Sequence, residues 1–130
     1  MQRSSVLVVE DHAMLRERLI EMLGQHFDVC GEAGSAAAAL EMLRRAKPDV
    51  IVLDVSLPDV SGVDLTRSLQ RTLRGTRIVV ITAHEEPEIA QACLDAGAIA
   101  VVTKSRLLSD LIPAVAQAAQ PTEATRPSRS

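Results

Sequence analysis

Short aliphatic runs alternate along this chain with longer stretches in which apolar residues recur every three or four positions. The runs are Val6-Leu7-Val8-Val9, Val50-Ile51-Val52-Leu53, Ile78-Val79-Val80-Ile81 and Ile99-Ala100-Val101-Val102. Each has the length of a strand, and a run without polar alternation suits a strand covered on both faces. Phe27-Asp28-Val29-Cys30-Gly31 reads as a shorter, second strand in chain order. Between the strands, Met14, Leu15, Leu19, Met22 and Leu23 predict a helix over residues 13–24 with Gly24 as its stop. Ser35 is the candidate N-cap of an alanine-rich helix, 36–46, that ends before Pro48.

The central strand is expected over 49–54, followed by the turn-forming loop Ser56-Leu57-Pro58-Asp59-Val60-Ser61-Gly62. Val63, Leu65, Leu69 and Leu73 line a third helix, which Gly75-Thr76 closes before a strand over 77–82. Pro87 fits the first turn of a fourth helix, 88–96, and Gly97 its end. Leu107, Leu108, Leu111, Ile112 and Val115 make the mostly core-facing side of a last helix, which Pro113 either kinks or pushes to a later start.

Five strands alternating with five helices at short loop lengths predict an α/β domain. Its parallel five-stranded sheet would be doubly wound by helices into three layers, with right-handed crossovers. A chain of 130 residues holds one such domain and leaves no room for a second. The domain is expected over residues 1–120. Residues 121–130 lack apolar periodicity and read as a flexible tail or the start of a linker.

Composition removes several function classes. With 47% hydrophobic residues, 24% charged and a net charge of −3, the chain is an ordinary globular protein without a field that attracts nucleic acid. Phe27 is its single aromatic residue, so stacking on bases is not available and the core must be aliphatic. Arg44-Arg45-Lys47 and the arginines at 67, 71, 74 and 77 read as solvated helix faces. No apolar stretch approaches the roughly 20 residues of a membrane span, and the amino end is too short for a secretory signal. A cytoplasmic protein with no membrane contact is expected. Cys30 and Cys93 lack metal-ligand spacing and are expected to be buried free thiols.

The residues that close the aliphatic runs carry the chemistry. The first run leads into Glu10-Asp11, the central one into Asp54, the next into Thr82 and the last into Thr103-Lys104. Parallel strands bring their carboxyl ends to one edge, where open α/β folds build their sites. Taken singly, the acidic pair reads as a solvated strand end or a helix-start charge pair, Thr82 as a strand residue or a helix cap, and Lys104 as a surface lysine. Together they are hard to assign to chance. Acids gathered at one edge repel and keep their charge only around a cation, and oxygen-only ligands favour Mg²⁺ or Mn²⁺. Glu10, Asp11 and Asp54 supply fewer oxygens than octahedral Mg²⁺ takes, so a backbone carbonyl, waters and a phosphate oxygen would complete the shell. Asp54 can attack phosphorus to give an aspartyl phosphate, with Lys104 neutralising phosphoryl oxygens and Thr82 hydrogen-bonding one of them. No Gly-x-x-x-x-Gly-Lys is present, and the first turn carries acids where a dinucleotide site needs glycines.

These residues make the chain resemble a response-regulator receiver domain of two-component signalling, chemotaxis-regulator-like and flavodoxin-like in fold. The matching positions are Glu10-Asp11, Asp54 with Leu57-Pro58 and Gly62, Thr82 with the small Ala83, and Lys104, over about residues 4–120. The resemblance implies that a sensor histidine kinase or phosphotransfer protein donates a phosphoryl group to Asp54. It also implies Mg²⁺ held by Asp11, Asp54 and the main-chain carbonyl of Ser56, with Glu10 acting partly through water. Thr82 and Lys104 would then be drawn to the phosphate, biasing a surface of fourth helix, fifth strand and fifth helix that binds partners or a second copy. Leu107, Leu108 and Leu111 are candidates for a partner or dimer surface by the same analogy. Ser56 and His84 occupy the positions that tune the lifetime of the phosphoryl group.

Two positions depart from the pattern. Val101 stands where many receivers carry an aromatic residue that swings inward, so aromatic-rotamer switching cannot operate here. Ser105 follows Lys104 where a cis-proline is frequent, and a cis bond before serine would cost about 3 kcal/mol. The leading reading is a phosphoacceptor that is not itself an enzyme, either stand-alone or the receiver of a longer regulator with a DNA-binding output. The loop after Asp54 resembles the subfamily with such outputs, while this segment itself binds no nucleic acid. Two rivals are a pseudo-receiver that works without phosphorylation and a phosphohydrolase. The latter would want an acid two residues after the nucleophile, where this chain has Ser56.

Overall fold

The four aliphatic runs and the weaker edge run all form strands of one sheet, and the periodic stretches between them form helices. The computed structural model describes residues 3–120. In chain order the elements are β1 (Ser5–Val9), α1 (Ala13–Gly24), β2 (Asp28–Ala33), α2 (Ala36–Leu43), β3 (Val50–Asp54) and α3 (Gly62–Thr72). Then come β4 (Arg77–Thr82), α4 (Pro87–Ala96), β5 (Ala100–Thr103), a single 3-10 turn at Lys104–Arg106, and α5 (Leu107–Ala119). The strands lie in the order β2-β1-β3-β4-β5, every pair parallel. This is a doubly wound, flavodoxin-like arrangement.

Alternate residues of each strand face opposite sides of the sheet, and each side is covered. Val6, Val8, Val50, Val52, Val79 and Ile81 pack with Leu19 and Leu23 of α1 and Leu111 and Val115 of α5. Leu7, Val9, Ile51, Leu53, Ile78 and Val80 pack with Ala36 and Ala39 of α2, Leu65 and Leu69 of α3, and Cys93 of α4. The inner strands therefore carry apolar residues at nearly every position, and β3 is buried throughout, whereas the edge strand β2 keeps Asp28 and Glu32 exposed.

Local chemistry sets the helix ends. The imidazole Nδ1 of His12 accepts the Leu15 N–H, and the Ser35 hydroxyl accepts that of Ala38. Gly97 ends α4 at φ 118°, a left-handed conformation that favours glycine. The helix α5 starts at Leu107 with Pro113 in its interior, so no later start occurs.

Several expectations are corrected. Cys93 is buried, but Cys30 is exposed. The β1–β2 register passes from Val6↔Val29 to Leu7↔Gly31, leaving Cys30 as the extra residue of a bulge on an edge strand. Leu108 is 90% and Met14 68% exposed, so both leave the core side of their helices, whereas Leu111 is fully buried and unavailable as a surface residue. Ile99 precedes β5, Phe27 precedes β2, and α2 closes at Leu43 with turns through Ala46. The tail expected at 121–130 lies outside the described residues. Among those described, no helix is long and apolar enough to cross a membrane.

Candidate functional site

The order β2-β1-β3 places a topological switch between β1 and β3, and the crevice at their carboxyl ends is where sheets of this kind hold ligands. Val9 pairs with Leu53, so Glu10, just after β1, and Asp54, the last residue of β3, emerge side by side. The immediate start of α1, capped by His12, turns the chain away and leaves the acids at the edge.

Glu10 is fully buried and Asp54 is 2% exposed, whereas Asp11 is exposed. Glu10 is held by its N–H to the Ala33 carbonyl (2.9 Å) and by Oε2, which accepts the His12 N–H (3.0 Å). Asp54 Oδ1 accepts the Ser56 N–H at 3.0 Å, and Oδ2 accepts from Lys104 Nζ at 3.1 Å. The same ammonium lies 3.2 Å from Glu10 Oε1, an ion pair without hydrogen-bond alignment. Burial, opposed by the His12 N–H and reinforced by Asp54, raises the Glu10 carboxyl to about 7. Burial pulls the Lys104 ammonium down, but Asp54 and Glu10 outweigh it and the pKa ends raised.

One oxygen of each of Glu10, Asp11 and Asp54 lies within 4.8 Å of the others. A buried carboxylate oxygen with no donor, beside two further acids, fits a hard divalent cation: the donors are all oxygen and the acids outnumber the positive charge beside them. Among the described residues, the Lys104 ammonium is the cation ion-paired with the Glu10 and Asp54 carboxylates.

Thr82 ends β4 one residue beyond Ile81, the register partner of Asp54, and is 1% exposed. It shares the edge with the acids, but its hydroxyl accepts the His84 N–H at 3.0 Å rather than meeting them. His84 is half exposed, its Nδ1 3.6 Å from Glu86 Oε2. Lys104 opens the 3-10 turn after β5, and its peptide to Ser105 is trans. Val101 is half-buried, on the side of the sheet that α2, α3 and α4 cover. Gly62 packs so closely on the strand end that an added Cβ would stand 2.7 Å from the Asp54 carbonyl oxygen and 2.5 Å from Val55 Cα. Only glycine allows the loop after Asp54 to fold back this tightly.

Two side chains at this edge escaped the sequence reading. Asp59 reaches across to the start of α2, accepting the N–H groups of Ala36 (2.9 Å) and Ala37 (3.0 Å), which holds its carboxyl below the usual range. Arg16 of α1 donates from Nη1 to the Glu10 main-chain oxygen (2.7 Å) and from Nε to Glu32 Oε1 (2.9 Å). A helix whose alanine-rich start offers more N–H groups than Ser35 can satisfy signals the first; nothing local signals the second.

Comparison with known proteins places this geometry. The chain is 38% identical over 111 residues to the transcriptional regulatory protein PdtaR of Mycobacterium tuberculosis, covering 85% of this chain and 54% of PdtaR. It is 34% identical over 114 residues to the response regulator GacA of Pseudomonas aeruginosa, covering 86% and 53%. The chain thus spans about half the length of these curated relatives. The signal receiver domain of the response regulator NarL from Mycobacterium tuberculosis superposes with a TM-score of 0.84 at 31% identity, covering 92% of this chain and 98% of that one. With the response regulator receiver domain model matching residues 6–116, the buried acids, the edge threonine and the bridging lysine belong to a member of the response-regulator receiver family.

Proposed function

We propose that Asp54 is the phosphoacceptor of this receiver, that Glu10, Asp11, Asp54 and the Ser56 main-chain carbonyl hold Mg²⁺, and that Thr82 and Lys104 complete the site. The observation that carries this reading is the Lys104 ammonium set between Asp54 Oδ2 and Glu10 Oε1 at the switch point of the sheet. When bound, Mg²⁺, or Mn²⁺ in its place, supplies positive charge against the oxygens of the incoming phosphoryl group.

Each Asp54 oxygen accepts one hydrogen bond, so lone pairs remain for attack. An Asp54 oxygen forms a bond to phosphorus while the bond from phosphorus to an imidazole nitrogen of a histidine kinase or phosphotransfer protein breaks. The electron pair stays on that nitrogen, which can take up a proton. Lys104 already sits within reach of the acceptor oxygen and offsets charge arriving on the phosphoryl group. The Thr82 hydroxyl accepts the His84 N–H and keeps its own proton free to donate to a phosphoryl oxygen. That links phosphorylation to the loop before α4 and to a surface that binds partners or a second copy. Val101 leaves no aromatic side chain in β5 to take part.

The domain is read over residues 1–120, with 121–130 as tail or linker, in the cytoplasm. Relatives named as transcriptional regulators support an output through a longer regulator, the DNA contact lying outside this segment. Ser56, two residues after the nucleophile, cannot protonate a leaving group as an acid would, which disfavours a phosphohydrolase.

Intact-mass measurement with Mg²⁺ and acetyl phosphate tests the reading. One phosphoryl adduct that requires Mg²⁺ and is lost in Asp54→Asn is expected. No adduct at any Mg²⁺ concentration would overturn it in favour of a phosphorylation-independent module.

A further inference from the structure

Arg16 reaches the acidic edge without belonging to the acids or to the ammonium that bridges two of them. Its side chain is 22% exposed, and the guanidinium ties three elements: its own helix α1, Glu32 of β2, and the main chain leaving β1. The path lies over Gly34, where an added Cβ would stand 3.2 Å from Nη1. The bond to the Glu10 carbonyl is short, 2.7 Å. Because a peptide is planar, fixing that carbonyl fixes the whole Glu10–Asp11 unit and the direction in which Asp11 departs. Among the described residues, no side-chain hydrogen bond or ion pair involves Asp11, so backbone alone aims its carboxylate. The other side of Glu10 is tied by its N–H to Ala33 of β2.

We propose that Arg16 is a positioning residue for the divalent-cation site: its forked guanidinium clasps the Glu10–Asp11 peptide to β2 and holds both carboxylates at the spacing that binds metal. The inference rests on reading Glu10, Asp11 and Asp54 as cation ligands. A cation so near the site would by itself weaken metal binding through repulsion. Glu32 at 2.9 Å offsets that charge while serving as the second anchor of the fork. Positioning and repulsion act on metal affinity with opposite signs, so the direction of the change identifies which one Arg16 supplies.

The test is calorimetric titration of Mg²⁺ into the full chain, paired with the Mg²⁺ dependence of adduct formation from acetyl phosphate. Arg16→Met combined with Glu32→Gln removes one charge of each sign and the clasp with them. Its Mg²⁺ Kd should rise about tenfold, within the usual range for groups that orient metal ligands. The half-saturating Mg²⁺ for adduct formation should move with it, and by more than the maximal rate does. Gly34→Ala, whose Cβ presses on Arg16 Nη1 and asks it to give by a few tenths of an ångström with both charges retained, should shift Kd the same way by less. Arg16→Lys should recover part of the loss.

A double variant that folds and binds Mg²⁺ within twofold of wild type, or more tightly, overturns the inference, as does a maximal rate that falls as far as the affinity. If the double variant does not fold, unchanged Kd in both Gly34→Ala and Arg16→Lys overturns it. Wild type that binds no Mg²⁺ removes the cation-site reading and the inference with it. Normal wild-type binding with unaffected variants removes the inference alone.

Discussion

Leu53 and Asp54 are neighbours in β3, 0% and 2% exposed, and Val9 and Glu10 stand in the same relation at the end of β1, 1% and 0% exposed. One residue further along each strand, the same degree of burial changes sign in its effect on the fold. Leu53 and Val9 leave water for a packed aliphatic layer, and each such side chain contributes roughly 1.5–3 kcal/mol. Glu10 leaves water for a site where its Oε1 finds an ammonium but no hydrogen bond, and its carboxyl is pushed up to about 7 in consequence. The body of the sheet is built for stability, and its edge gathers negative charge whose repulsion a cation would offset.

The sharpest way to break this contrast is to truncate both sides of it. Leu53→Ala should cost about 2–5 kcal/mol in chemical denaturation, since the helices on that face cannot close the cavity fully. Glu10→Gln should move the other way, stabilising the metal-free protein by about 1–3 kcal/mol at neutral pH, because it removes the cost of burying a charge. Between about 4.5 and about 7 the native state of the wild type holds a Glu10 proton that the unfolded chain has released. Wild-type stability should therefore fall as pH rises through that window, and the Glu10→Gln curve should lack the fall. Mg²⁺ should shrink the difference by binding native wild type, as thermal melts with and without the ion would read.

A smaller effect belongs to the loop between the two regions. Asp59→Ala should lower stability by less than either of those substitutions shifts it, as for the loss of a helix cap, by freeing the N–H groups of Ala36 and Ala37, which chemical denaturation would read. Its contribution is present once the carboxyl ionises in the unfolded chain and is lost as pH falls through the lowered folded value, opposite in direction to that of Glu10. The smallest effect is expected at Leu108, where 90% exposure means that Leu108→Ser should change stability by no more than about 0.5 kcal/mol. A larger loss would show that α5 packs more of its apolar side than the core contacts indicate.

Much of this was legible in the residue pattern because it is local or periodic. Uninterrupted aliphatic runs of strand length alternating with helical periods suit strands covered on both faces, and parallel strands bring their polar ends to one edge. The errors fall where one residue of register or rotation decides: the bulge that turns Cys30 outward, and the helix phases that expose Leu108 and Met14 while burying Leu111. An aliphatic residue has the same periodicity whether it sits on the core stripe or beside it.

The sequence by itself determined the α/β alternation, the acids, threonine and lysine that close the strands, and the gathering of oxygen donors at one edge. Those follow from hydrophobic period and side-chain chemistry, which each residue carries with it. Only the tertiary structure decided that Lys104 spans Asp54 and Glu10, that Glu10 is buried deeply enough to lose its usual acidity, and that Arg16 and Asp59 hold the loops around them. Those contacts join residues that come together only once the strands are ordered β2-β1-β3-β4-β5, and burial and distance, unlike residue type, are properties of that arrangement.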